Sequence, residues 1–226
     1  MAQIDKNTVK ADNQLGKSSK VTFEYEENTG KKILIVGNSI TRHAPKAEIG
    51  WSGNWGMAAS SKDKDYVHRL ESLVFLKCPD ARFCICQAAD WETHYKCGTE
   101  QFHLFAPAAE FGADIIVIRL IENCPRDDFD EALFEKQFSD FVTYLNSTGN
   151  AKIIIASSFW KRAGDEILKK VATDNGYDFI YLGELGENPE MRADGLFEHI
   201  GVAMHPGDKG METIANLIFD TIKNYI

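Results

Sequence analysis

No stretch of the 226-residue sequence approaches the ~18 consecutive apolar residues of a membrane-spanning helix, and the first residues lack the apolar centre of a signal peptide. The expectation is a chain with no membrane insertion, cytoplasmic unless a leader has been removed. Cationic charge is also scarce, with 25 Lys and Arg against 34 Asp and Glu and a formal charge of −9. Nucleic acid and anionic membranes are bound through clustered Lys and Arg, so neither is an expected partner. The five cysteines, Cys78, Cys84, Cys86, Cys97 and Cys124, form no CxxC and leave one over under any pairing, which favours reduced thiols. His94 and Cys97 make an HxxC with no second pair at ligand spacing, so neither a metal nor another cofactor is expected. No internal repeat or low-complexity tract is visible.

What remains has the composition of a globular domain, 44% apolar and 26% charged. Residues 1–20 are polar and aperiodic and read as a mobile arm, leaving residues 21–226 as a single domain. Val21, Phe23 and Tyr25 alternate with polar residues before a turn signal, the pattern of a short edge strand. From Lys31 a unit recurs: an apolar strand, a polar junction, then a stretch of helical period. The strands are Lys31 to Asn38, Ala81 to Ala88, Ala113 to Ile121, Ala151 to Ser158 and Tyr177 to Glu184. Near-continuous apolar strands separated by helices predict a parallel sheet covered on both faces.

Helices are predicted over Asp63 to Lys77, Asp128 to Asn146, Asp165 to Asn175 and Lys209 to Tyr225. Asp127 or Asp128 is suited to cap the second, Gly176 to end the third, and Asp208 to cap the fourth. The stripes Phe134, Phe138, Phe141, Val142 and Leu145, and Met211, Ile214, Ala215, Ile218, Phe219 and Ile222, are core faces.

In a parallel sheet the residues just beyond the strand carboxyl ends share one edge, and α/β proteins build their sites there. That edge collects Gly37, Asn38 and Ser39 after the first strand, and Ala88, Ala89, Asp90 and Trp91 after the second. Glu122 and Asn123 follow the third, Phe159 and Trp160 the fourth, and His205 enters before the last helix. Ser39 reads equally as a helix N-cap and as a nucleophile. A serine needs a base to take its proton, which His205 can be, and Asn123 with backbone N–H groups can receive negative charge on an oxyanion.

Gly37-Asn38-Ser39-Ile40-Thr41 resembles the GDSIT block of the SGNH or GDSL hydrolase family. Asn123 in Ile121-Glu122-Asn123 resembles the asparagine of its GxND block, and His205-Pro206 its closing HP block. The resemblance runs from Lys31 to Ile226. It implies an α/β, flavodoxin-like, three-layer fold with a five-stranded parallel sheet, to which the short N-terminal strand is extra. It also implies ester hydrolysis through Ser39 and His205, with the Ser39 N–H, a second-block N–H and the Asn123 side chain as oxyanion donors.

The sequence departs from this pattern in three places. Ala89 stands where the second-block glycine is expected, and its backbone N–H is an equivalent donor. Ile121 replaces the third-block glycine. Val202 occupies the position three residues before the histidine, where the family carries an aspartate, so another group must orient His205. Glu198, Asp194 or a backbone carbonyl are the candidates, with Glu198 and a carbonyl favoured.

Residues 44–66 make a long βα loop carrying Trp51, Asn54 and Trp55, either a substrate-binding surface or a loop pinned by buried tryptophans. Asn38, Trp91, Trp160 and Trp55 are the candidate substrate-binding residues. The expected activity is hydrolysis of a small acyl ester, such as an acetylated carbohydrate. A lysophospholipase or thioesterase, and a binding module that lost its acid, are the alternatives.

Overall fold

The structure, a computed structural model, describes residues 20–226, and the expectation for residues 1–20 lies outside the described residues except at Lys20. Six strands form one sheet in the order β1-β3-β2-β4-β5-β6. They are β1 Val21–Glu24, β2 Lys32–Gly37, β3 Arg82–Gln87, β4 Ile115–Arg119, β5 Lys152–Ala156 and β6 Asp178–Ile180. Strands β2 to β6 pair in parallel, and β1 runs antiparallel to β3 at the edge, with Val21 opposite Cys86 and Glu24 opposite Phe83. This is the expected five-stranded parallel sheet with its extra N-terminal strand.

Period-two alternation sorts each strand between two cores. Ile33, Ile35, Phe83, Ile85, Ile115, Val117 and Ile154 face one side, where they meet the helices α1 (Tyr66–Phe75) and α7 (Asp208–Ile222). Leu34, Val36, Cys84, Cys86, Ile116, Ile118, Ile153 and Ile155 face the other, against α4 (Glu131–Leu145) and α5 (Asp165–Asn175). Both faces are therefore apolar, which is why the strands read as unbroken branched runs. Three short α-helices also lie among the described residues: α2 Ala89–Thr93, α3 Ala106–Glu110 and α6 Ile200–Ala203.

Helix ends differ in detail from expectation. Asp130, rather than Asp127 or Asp128, caps α4 by accepting from Leu133 N at 3.0 Å, since the helix begins at Glu131. Gly207 is the N-cap of α7, because the Asp208 carboxylate is taken by Ser60 N at 2.8 Å and Ser60 Oγ at 2.6 Å. Asp208 thereby ties α7 to the long loop after β2. Gly176 ends α5 in the left-handed conformation at φ 69°, as its sequence position predicts. Strand β6 is shorter than expected, because beyond Ile180 the chain leaves the sheet and Leu182 N donates to Ser157 Oγ at 2.7 Å.

Strand β2 lies between β3 and β4, and the chain leaves it first to one side and then to the other. The crevice at its carboxyl end is thus a topological switch point, where open α/β sheets bind ligands. Ser39 stands two residues beyond that end.

The core on the α4 side is dense in aromatic rings. Trp91 stacks on Phe141 at 4.8 Å, and Phe134 touches Trp91, Tyr95, Phe129 and Phe138. Phe134→Ala is expected to lower stability by about 3–5 kcal/mol, read as a reduced urea midpoint with unchanged m-value.

Candidate active site

The chain beyond β2 makes one turn rather than a helix, with Thr41 N and Arg42 N both donating to Asn38 O at 3.0 and 2.9 Å. Ser39 is therefore not a helix cap. The turn is tight enough that a Cβ at Gly37 would sit 1.9 Å from Thr41 Oγ1 and would have to displace the Thr41 side chain. Ser39 Oγ lies 2.8 Å from His205 Nε2, although 166 positions separate them in the chain.

The other imidazole nitrogen, His205 Nδ1, is 2.6 Å from the carbonyl oxygen of Gly201. With Nδ1–H donating to that carbonyl, Nε2 is left as an acceptor for the serine hydroxyl. Both ring nitrogens are thus engaged, and no position remains for Glu198. That residue is exposed and lines a separate cavity with Glu48, Ile49, Leu196 and His199. Asp194 instead forms an ion pair with Arg192. Val202, at the place of the missing aspartate, is fully buried against Trp51, Met57, Ala58 and Ala193. Burial pushes His205 down to about 4, against the opposing pull of the Gly201 carbonyl.

Asn123 is exposed on the loop after β4, and its Nδ2 donates to Glu92 Oε2 at 2.5 Å. A primary amide has two N–H donors, so one is left for another acceptor. Glu92, from α2, is fully buried and its other oxygen accepts from Asn38 Nδ2 at 3.0 Å and from the Ile121 N–H. Glu122 accepts from Asn38 Nδ2 at 2.6 Å and from Phe159 N at 3.0 Å, and pairs with Arg119. Arg119, also fully buried, donates to Asn38 Oδ1 at 2.8 Å. Burial and the nearby Glu122 push Glu92 up to about 7.

This network revises several sequence expectations. Asn38 is fully buried and its amide is spent inside the network, so it positions the turn beneath Ser39 rather than meeting a substrate. Trp91 is fully buried among the phenylalanines of α4 and forms no wall of the site. Trp55 packs edge-on against Trp51, donates to Ala59 O at 3.0 Å and lines a different cleft with Glu24, Lys62 and His68. Trp51 is buried, which is the pinned-loop alternative. Trp160 does stand at the site, its ring 5.7 Å from that of His205 and nearly perpendicular to it. Ala89 is the first residue of α2, where the N–H has no partner within the helix.

Two contributors were not visible in the sequence: Glu92 and Arg119 are charged residues in buried settings whose roles follow only from the fold. A backbone carbonyl was one of the favoured partners of His205, and the structure identifies it as that of Gly201. Ile121 did carry a signal: it holds φ at 136°, a region costly for a branched residue, where the resembled family has glycine.

Arg119→Met is expected to destabilise the fold by about 3–5 kcal/mol, because Glu92 and Glu122 would be left buried without a countercharge. Denaturant unfolding measures the loss, and a change below ~1 kcal/mol would contradict this account of the network.

No family model matches the sequence, and no curated protein does. Solved structures do match. The esterase EstA from a Pseudoalteromonas species, in a form inhibited by monoethylphosphonate, aligns with a TM-score of 0.56 at 12% identity, covering 86% of this chain and 98% of that one. A two-domain esterase active on acetylated mannans, co-crystallised with mannopentaose, aligns with a TM-score of 0.58 at 16% identity over 90% of this chain and 57% of that one. A family two carbohydrate esterase from Clostridium thermocellum, in complex with cellohexaose, gives 0.58 at 14% identity over 86% and 64%. The chain therefore shares its α/β fold with these esterases.

Proposed function

We propose that the protein is a serine esterase that hydrolyses small acyl esters, and that its substrate is an acetylated carbohydrate. The observation that carries this reading is the 2.8 Å contact between Ser39 Oγ and His205 Nε2 at the switch point of the sheet. Ser39 Oγ attacks the acyl carbonyl while His205 Nε2 takes its proton. Negative charge on the carbonyl oxygen is received by the Asn123 amide and the N–H groups of Ser39 and Ala89. The alcohol leaves with the proton from His205, and a water molecule, deprotonated by the same nitrogen, releases the acid from the serine.

Gly201 supplies orientation without charge. Its carbonyl holds the tautomer that leaves Nε2 basic, yet it stabilises the imidazolium less than an aspartate does. In the serine-protease triad, disabling the aspartate lowers kcat by about 10⁴, so turnover here is expected to be slow beside that of a full triad. The carbohydrate assignment is supported by the two similar esterases described with acetylated mannans and with cellohexaose. The indole edge of Trp160 beside His205 offers a surface for the C–H face of a sugar.

A fluorophosphonate probe should label the wild type at Ser39 and leave Ser39→Ala unlabelled. Absence of labelling in the wild type would favour the non-catalytic binding module. Asn123→Ala is expected to lower kcat by about 10²–10³ with a smaller change in KM. Acetyl nitrophenyl esters should be cleaved faster than long-chain ones, and the reverse order would point to a lysophospholipase or thioesterase.

The base acts in its neutral form, so kcat/KM should stay level through neutral pH and fall as pH drops through about 4. A limb near the ordinary histidine value of ~6.5 would contradict the half-buried setting of His205.

A further inference from the structure

A second cluster of chemically capable side chains lies where β1 meets α1. Glu24 is the last residue of β1, while His68 and Glu71 stand three residues apart on one face of α1. One donor atom from each lies within 4.8 Å of the other two. His68 Nε2 is already 3.4 Å from Glu24 Oε1. That is about the edge of a tetrahedron with zinc-type bonds of ~2.1 Å.

Two further features distinguish this group from an ordinary charge cluster. His68 Nδ1 is held at 2.7 Å by Asp65, a fully buried carboxylate, which turns Nε2 toward Glu24. Metal-binding histidines are oriented by such a carboxylate on the opposite nitrogen. Independently, Glu71 is only 2% exposed, and its Oε1 has no hydrogen-bond partner among the described residues. A buried carboxylate oxygen without a donor is costly, and a cation satisfies it directly.

We propose that Glu24, His68 and Glu71 bind one divalent transition ion of the zinc class, with a water molecule as fourth ligand, and that this ion fastens the edge strand β1 to α1. The donor set selects the class: imidazole nitrogen suits zinc and its neighbours, whereas magnesium and calcium prefer oxygen throughout. A cleft of about 320 Å³ lined by Glu24, Lys62 and His68 gives entry. Lys62 Nζ, 2.9 and 3.2 Å from the two Glu24 oxygens, competes for that carboxylate, but its side chain is 53% exposed and can swing into solvent. The ion has no part in ester hydrolysis, so this assignment stands apart from that of Ser39 and His205.

Cobalt(II) is the probe. Added to the full chain after chelator treatment and dialysis, one equivalent should produce a visible d–d absorption band that zinc abolishes, and zinc should raise Tm. Glu71→Gln and His68→Gln should each lose the band, Asp65→Asn should weaken binding about 10- to 100-fold, and Cys97→Ser should retain it. Lys62→Ala should bind more tightly. Far-UV circular dichroism establishes that each variant is folded, and Glu24→Gln, on the edge strand, substitutes for one that is not. No band and no zinc-dependent rise in Tm in the wild type would overturn the proposal. So would a band that persists in folded Glu71→Gln and His68→Gln but vanishes in Cys97→Ser.

Discussion

The carboxylate of Glu92 is the fixed point around which the candidate active edge is assembled. It comes from α2, the short helix after β3, yet it holds Asn38 from the loop after β2 and both the Ile121 N–H and the Asn123 amide from the loop after β4. Three adjacent strand ends are thereby locked to one buried carboxylate. The geometry at Ser39 depends on this, since its neighbour Asn38 is gripped by Glu92, Glu122 and Arg119 together. Such networks fix position closely where their members are satisfied, and among the described residues only the Arg119 Nε of this group is without a partner.

The fold was readable because its rules are local and repetitive. Branched apolar runs such as Ile33 to Val36 announce strands buried on two faces, and the phenylalanine stripe of α4 has only one period it can fit. Ser39 and His205 were readable because side-chain chemistry is written in the sequence and the parallel topology gathers loop residues on one edge. What escaped were roles decided by three-dimensional context. Trp91 and Trp160 both follow strand ends, yet one turns into the phenylalanine core and the other stands over His205. Nothing in a list of residue types distinguishes them. The choice of the Gly201 carbonyl over Glu198 likewise rests on the path of α6, a helix of four residues that no periodicity could reveal.

The proposed metal site shows the same limit from another side. His68 and Glu71 lie close in sequence, but Glu24 reaches them only because β1 pairs antiparallel with β3 and ends beside α1. The edge strand, an addition to the five parallel strands, thus supplies one donor to a group that α1 alone would leave incomplete.

Ile121 has one more implication. Its Cδ1 fills the space above Gly164 so fully that a methyl group there would approach to 2.2 Å. The two positions therefore behave as a single volume shared between loops, one holding a bulky side chain in a strained backbone and the other holding none. Evolutionary drift or engineering can trade that volume between them, since a methyl group at residue 164 requires the end of the Ile121 side chain to move aside.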